Sequence, residues 1–240
     1  MLSVFCCGMI IVLFVVLTLK DIYMRIIYVG SLASLISKRS EESLVNAIRK
    51  IIINDEAFVP WYNYIRRSVK QFFVKHCDLS IMDALIEKHS QVVAITDFQR
   101  NNCENSKLAI QHIKSMSYEL FEGKDMAAPT EKSIAFHGIE LIINPDAIIT
   151  WQGKDGKTHV GAIKTKLKKG AFRPDEGTMT ACLIQYYLTI IYPDYIVEPD
   201  YCICFDAFRR KFYTSKNYDI NISTAALIAE KIAAMGDVAA

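Results

Sequence analysis

The hydrophobic periods along the chain predict a mixed α/β fold: a helical region, then a core of helix, three strands, helix, and a strand or hairpin, closed by a last helix. Three observations carry this. Apolar residues recur at helical spacing from about Ser40 to Gly123, the period turns extended between Ser133 and Leu167, and helical spacing returns between Thr178 and Tyr192. With 240 residues the chain has room for one principal domain and an appendage.

Composition narrows the function classes. The chain is 52% hydrophobic with a formal net charge of +2, which excludes a disordered tail protein and leaves any charge argument to local patches. The cysteines number 7, are scattered and lack paired CxxC spacing, so neither a disulfide framework nor a zinc site is indicated. Reduced thiols and a cytoplasmic setting are expected. Cys202 and Cys204 share one face of a strand, where thiols usually serve packing.

Taken in order, residues 1–23 are an apolar N-terminal segment. Its first nineteen residues carry no charged side chain. As a helix they would reach about 28 Å, enough to span a bilayer. A basic n-region and a prompt small-residue cleavage site are missing, which argues against a cleaved secretory signal. Lys20, Arg25, Lys38 and Arg39 follow the run, so an anchored chain would keep its body on the cytoplasmic face. The alternative is a true start at Met24 or later.

Residues 40–105 read as a helical region. "SEESLVNAIRKIII" places Leu44, Ala47, Ile48 and Ile51 on one stripe, and Pro60 suits the first turn of "PWYNYIRRSVKQFFVKHC". The segment Ser106 to Gly123 reads as a further helix ended by Gly123, and "EGKDMAAPTEKS" as a linker. Next, "SIAFHGIELIIN" and "DAIITWQ" read as strands, Asp155-Gly156 as a turn, and "THVGAIKTKL" as a third strand. A helix over Thr178 to Tyr192, a strand or hairpin through "YCICFDAF" and "RRKFYTSK", and the helix "STAALIAEKIAAM" complete the plan.

Chemistry-bearing residues gather around the third strand. From Trp151 to Arg173 seven basic side chains (Lys154, Lys157, Lys164, Lys166, Lys168, Lys169, Arg173) face one acid, Asp155, so the remainder of the chain is net negative. Strand alternation puts Ala162, Lys164, Lys166 and Lys168 on one face and turns His159 to the other. Arg209 and Arg210 extend the patch if the last hairpin lies alongside. A basic face of this kind suits a phosphate backbone, and it equally suits a solvated edge strand that resists aggregation.

Pro145-Asp146 at the second strand and Lys164 on the third, in a helix, three strands, helix, strand plan, resemble the PD-(D/E)xK nuclease superfamily, closest to its RecB-like and lambda-exonuclease-like branches. The resemblance covers roughly Ser106 to Ser215, within a domain expected over residues 106–240. It implies a PD-(D/E)xK-like α/β core and metal-dependent hydrolysis of DNA phosphodiesters. Asp146 would hold Mg²⁺ (or Mn²⁺), Lys164 would orient the attacking water, Gln185 would match the family's helix glutamine, and Glu119 or Glu122 the acid on its first helix. One position departs from the pattern: the acid expected two residues before the lysine is Ala162. Glu140, with the parity of Asp146 in an unbroken strand, is the nearest substitute ligand. In the nucleic-acid-binding role the expected residues are Lys166, Lys168, Lys169, Arg209 and Arg210. The alternative implied is a catalytically inactive protein of the same fold that binds nucleic acid or a protein partner.

Overall fold

A computed structural model describes residues 25–38, 40–53, 60–90, 97–167 and 173–236. The apolar segment 1–23 lies outside the described residues, and among those described no helix is long and apolar enough to cross a membrane. Residues 25–38 form β1 (Arg25–Tyr28) and α1 (Val29–Leu35). Four helices follow: α2 (Glu41–Ile53), α3 (Pro60–Val74), α4 (Leu79–Ser90) and α5 (Asp97–Lys114). Then come β2 (Asp125–Ala127), β3 (Ser133–Phe136), β4 (Ile139–Ile142), β5 (Ala147–Gln152) and β6 (Thr158–Lys166). The chain ends with α6 (Pro174–Ile191), β7 (Ile196–Asp206), β8 (Lys211–Thr214) and α7 (Tyr218–Gly236).

The strands form two mixed sheets. The smaller has the order β1-β4-β3, with β1 and β4 parallel, and the larger has the order β2-β5-β6-β7-β8. In the larger sheet only β6 and β7 are parallel, and α6 makes the crossover that a parallel pair requires. Its strands are apolar on both faces because both are covered. Ile148, Val160, Ala162 and Cys202 point into a core shared with α1, α6, α7 and the smaller sheet. Ala147, Ile149, Ile163, Ile203 and Phe205 point to the opposite side, against Ile65, Val69, Phe72 and Phe73 of α3, Met82 and Leu85 of α4, and Ile110 and Ile113 of α5.

Local sequence explains the main boundaries. At the start of α2, Ser40 Oγ accepts the Ser43 N–H at 3.1 Å, and the stripe that begins with Leu44 packs on the first core with Ile48 fully buried. Pro174 opens α6, where its missing N–H costs nothing. Three expectations are corrected. "SIAFHGIELIIN" is a hairpin, not one strand, because His137 and Gly138 both take positive φ (44° and 81°), the requirement of a two-residue type I′ turn. The linker contains β2, whose Met126 is buried against the second core while β2 pairs with β5. Helix α5 stops at Lys114, before Gly123, where the Tyr118 hydroxyl donates to the Ile113 carbonyl at 2.7 Å and its ring joins Phe72, Phe73 and Phe121.

Candidate functional site

Asp146 and Lys164 meet at one end of the larger sheet. The register Ala147 to Ile163, continued by one residue, sets Asp146 opposite Lys164 across β5 and β6, and the Asp146 N–H donates to the Ile163 carbonyl at 2.7 Å. Asp146 is 4% exposed, and its Oδ2 accepts the Thr165 N–H at 2.5 Å. Both side chains share the face of Ile148 and Ala162, the side of the first core.

Asn144 organises the surroundings. The bulk of Pro145 keeps its preceding residue out of the helical region, and Asn144 adopts the left-handed conformation, φ 42°, which asparagine tolerates better than most residues. Its main-chain oxygen accepts Lys164 Nζ–H at 2.6 Å, and its side-chain Oδ1 accepts Lys70 Nζ–H at 2.5 Å. Lys70 comes from α3, which otherwise packs on the opposite face of the sheet through Val69 and Phe73.

These cations are crowded. Burial pushes the Lys164 ammonium down to about 8; Asp146 opposes that fall, while Lys70, Arg66 and Lys166 add to it. Lys70 is likewise lowered, first by burial and then by Lys132 and Arg66, again against the pull of Asp146. Asp146 therefore lies beside Lys70 and Lys164, with Arg66, Lys132 and Lys166 near those two lysines and the buried Asp206 opposite Lys166 across β6 and β7. Lys166 extends toward α1, where a Cβ on Gly30 would stand 2.7 Å from its Nζ, so the bare glycine admits that approach.

The remaining predicted residues are distributed as follows. Ala162 is fully buried, paired with Ile148 and Cys202 in the first core. Glu140 is on β4 in the smaller sheet, where it accepts the Ser133 hydroxyl proton at 2.7 Å. The shared parity expected of Glu140 and Asp146 is lost because the chain changes sheet at Asn144. Glu119 is exposed in a short 3₁₀ turn anchored by Phe121 in the second core, on the far face from Asp146, and Glu122 is exposed beside it. Gln185 lies on α6 with its Oε1 buried and, among the described residues, without a hydrogen-bond partner; no hydrogen bond joins it to Asp146 or Lys164. Arg209 and Arg210 are exposed in the β7–β8 turn, at the same end of the sheet as Asp146 and Lys164. Asp206 holds that turn by accepting the N–H groups of Phe208 and Arg209 at 3.0 and 3.1 Å, with Arg209 Nε 3.9 Å from its other oxygen. Lys168 and Lys169 lie outside the described residues.

A divalent cation does not fit this donor set. Mg²⁺ takes oxygen ligands in near-octahedral array, and Asp146 supplies one carboxylate of which one oxygen already serves Thr165. The two oxygens of Asn144 carry ammonium groups. Among the described residues, no three His, Cys, Asp or Glu side chains gather into a metal-binding group.

His159 turns away from Lys164, as strand alternation requires. At the other end of the sheet its Nδ1 lies 2.6 Å from Glu198 Oε1 and its Nε2 3.2 Å from Asp155 Oδ1, with the ring stacked on Trp151. Glu198 and then Asp155 raise its pKa by favouring the imidazolium. Cys202 and Cys204 are buried, and burial raises both thiols, Cys204 to about 12, as packing residues would show.

Sequence reasoning missed Lys70, Arg66, Lys132 and Asn144. The only signal was the i, i+4 spacing of Arg66 and Lys70 on a helix, which by itself marks any solvated face. No protein-family model matches the chain, and no curated protein matches it.

Proposed function

We propose that this protein is a non-catalytic member of a nuclease-like α/β fold that binds the phosphate backbone of nucleic acid at the Asp146–Lys164 end of its larger sheet. The observation that carries the reading is the meeting of Lys70 and Lys164 on the two oxygens of Asn144 beside the buried Asp146, with Arg66 and Lys132 near those lysines. A catalytic centre for metal-assisted hydrolysis collects acids around a cation, and this site does the reverse. Arg209 and Arg210 add positive charge at the same end of the sheet and widen the surface that a backbone could follow. DNA is the first candidate, consistent with the PD-(D/E)xK resemblance.

Metal-dependent cleavage is the competing reading, favoured by the opposition of Asp146 and Lys164 across β5 and β6. One experiment separates the two. Fluorescence anisotropy with labelled single-stranded and duplex DNA at rising salt should show binding whose affinity falls by a log-log slope of about −0.9 for each duplex phosphate contacted. Parallel incubation with Mg²⁺ or Mn²⁺ should leave the DNA intact. Cleavage abolished by both Asp146→Ala and Lys164→Ala would replace the binding reading with the enzymatic one, and absence of binding at low salt would remove the nucleic-acid reading.

A further inference from the structure

Asn144 holds two ammonium groups side by side next to Asp146, one on each of its oxygens, at 2.5 and 2.6 Å. The lysines come from distant parts of the chain, Lys70 from α3 and Lys164 from β6. Two ammoniums carry the charge of one divalent cation. They also occupy the oxygens that such a cation would need, the Asn144 carbonyl and Oδ1, at the point where β5 begins beside the buried Asp146.

We propose that Lys70 and Lys164, fixed on Asn144, replace a divalent cation beside Asp146 and make the site a metal-independent receptor for a phosphate-type oxyanion. This rests on the phosphate-binding reading above and specifies how the charge is supplied. The charge count supports it. Two ammoniums against the Asp146 carboxylate leave an excess positive charge, and Arg66 and Lys132 add to it, so the vicinity repels a metal ion and attracts an anion. The hydrogen-bond count agrees. An ammonium has three N–H donors, and among the described residues each of these two donates to Asn144 alone, leaving two apiece for incoming oxygens. Asn144 is the keystone: its left-handed backbone presents the main-chain oxygen to one lysine and its side-chain oxygen to the other.

Lys70 is the decisive residue, because replacing it with an acid restores the carboxylate pair that a metal site needs. In the unaltered protein, binding of a fluorescein-labelled 15-mer DNA should be unchanged by EDTA, and titrated Mn²⁺ should keep its free electron-spin-resonance signal. Lys70→Met should weaken EDTA-resistant binding by about tenfold, the loss of one charge-assisted contact, while Lys70→Arg should keep most of it. Lys70→Glu should quench the Mn²⁺ signal, and the quench should disappear in Lys70→Glu combined with Asp146→Asn. Circular dichroism of each variant confirms folding. Mn²⁺ binding by the unaltered protein that Asp146→Asn removes, or affinity untouched by Lys70→Met, would overturn the cation-replacement idea. If Lys70→Met is silent while Arg209→Ala with Arg210→Ala weakens binding, the nucleic-acid reading survives without it. If the 15-mer does not bind but inorganic pyrophosphate raises Tm in a Lys70-dependent way, the oxyanion receptor stands and the nucleic-acid reading fails.

Discussion

Asp146→Asn separates the roles that Asp146 could play, because the amide keeps the shape and an acceptor for Thr165 but removes the negative charge that acts on Lys70 and Lys164. The carboxylate accepts a charge-assisted bond from Thr165 N–H and offsets the neighbouring Lys164 and Lys70. A unit charge about 5 Å away at an effective dielectric near 20 contributes roughly 3 kcal/mol. Lys164 limits the loss: its pKa already sits at about 8 with Asp146 in place, so without the carboxylate it falls further and the lysine sheds its proton. The sign follows. Below the folded-state pKa both partners are charged and the full interaction is lost, whereas above about 8 Lys164 is neutral in both proteins and less is lost. Urea denaturation should therefore show a destabilisation of about 2–4 kcal/mol at pH 6 that shrinks by pH 9. A pH-independent difference, or one under about 0.5 kcal/mol, would reduce Asp146 to a strand-start turn residue. Binding adds a second arm. Because the proton that Lys164 sheds offsets the carboxylate removed, DNA binding at low salt and neutral pH should be kept within about twofold. A metal-dependent site would lose its function in the same variant.

Other expectations concern the frame around the site. Thr165→Val should stabilise the protein by about 1 kcal/mol in urea denaturation, since its buried hydroxyl has no partner among the described residues; a loss of stability would show that the hydroxyl is satisfied. Gly161→Ala should cost about 3 kcal/mol or more, because the added Cβ would stand 2.4 Å from Tyr201 Cβ and 2.6 Å from its main-chain oxygen, where β6 and β7 shift register; an unchanged Tm would contradict that packing. The imidazolium of His159, favoured by Glu198 and Asp155, contributes stability that is complete below the ordinary histidine pKa and is lost as pH rises through its raised folded value. The fall in stability from pH 6 upward should thus be smaller in His159→Gln, and equal slopes in the two proteins would refute the pairing.

How much of this was legible beforehand differs from element to element. The stripe on α2, the helical spacing from Thr178 onward in α6 and the extended run through β6 follow from period, turn residues and spacing. Those signals act over a few residues and survive folding unchanged. His159 turned away from Lys164 for the same reason, the alternation of side chains along a strand. The hairpin within "SIAFHGIELIIN" was hidden because His137-Gly138 is a weaker turn signal than Asp155-Gly156 and both flanks are apolar. β2 was hidden because an edge strand of three residues needs only its partner's hydrogen bonds.

The sequence alone determined which residues could carry charge here: an aspartate after proline, a lysine ladder, and Ala162 where an acid was expected. Tertiary structure decided what those charges face. Glu140 went to a second sheet when the chain turned at Asn144, and Glu119 to the far side of the larger one. Lys70, dozens of positions upstream, came in on α3 to share Asn144 with Lys164. Local spacing cannot foresee such a meeting, because the position of a lysine on a helix says nothing about which strand end that helix will cover; only packing α3 against the sheet brings the second ammonium to the aspartate.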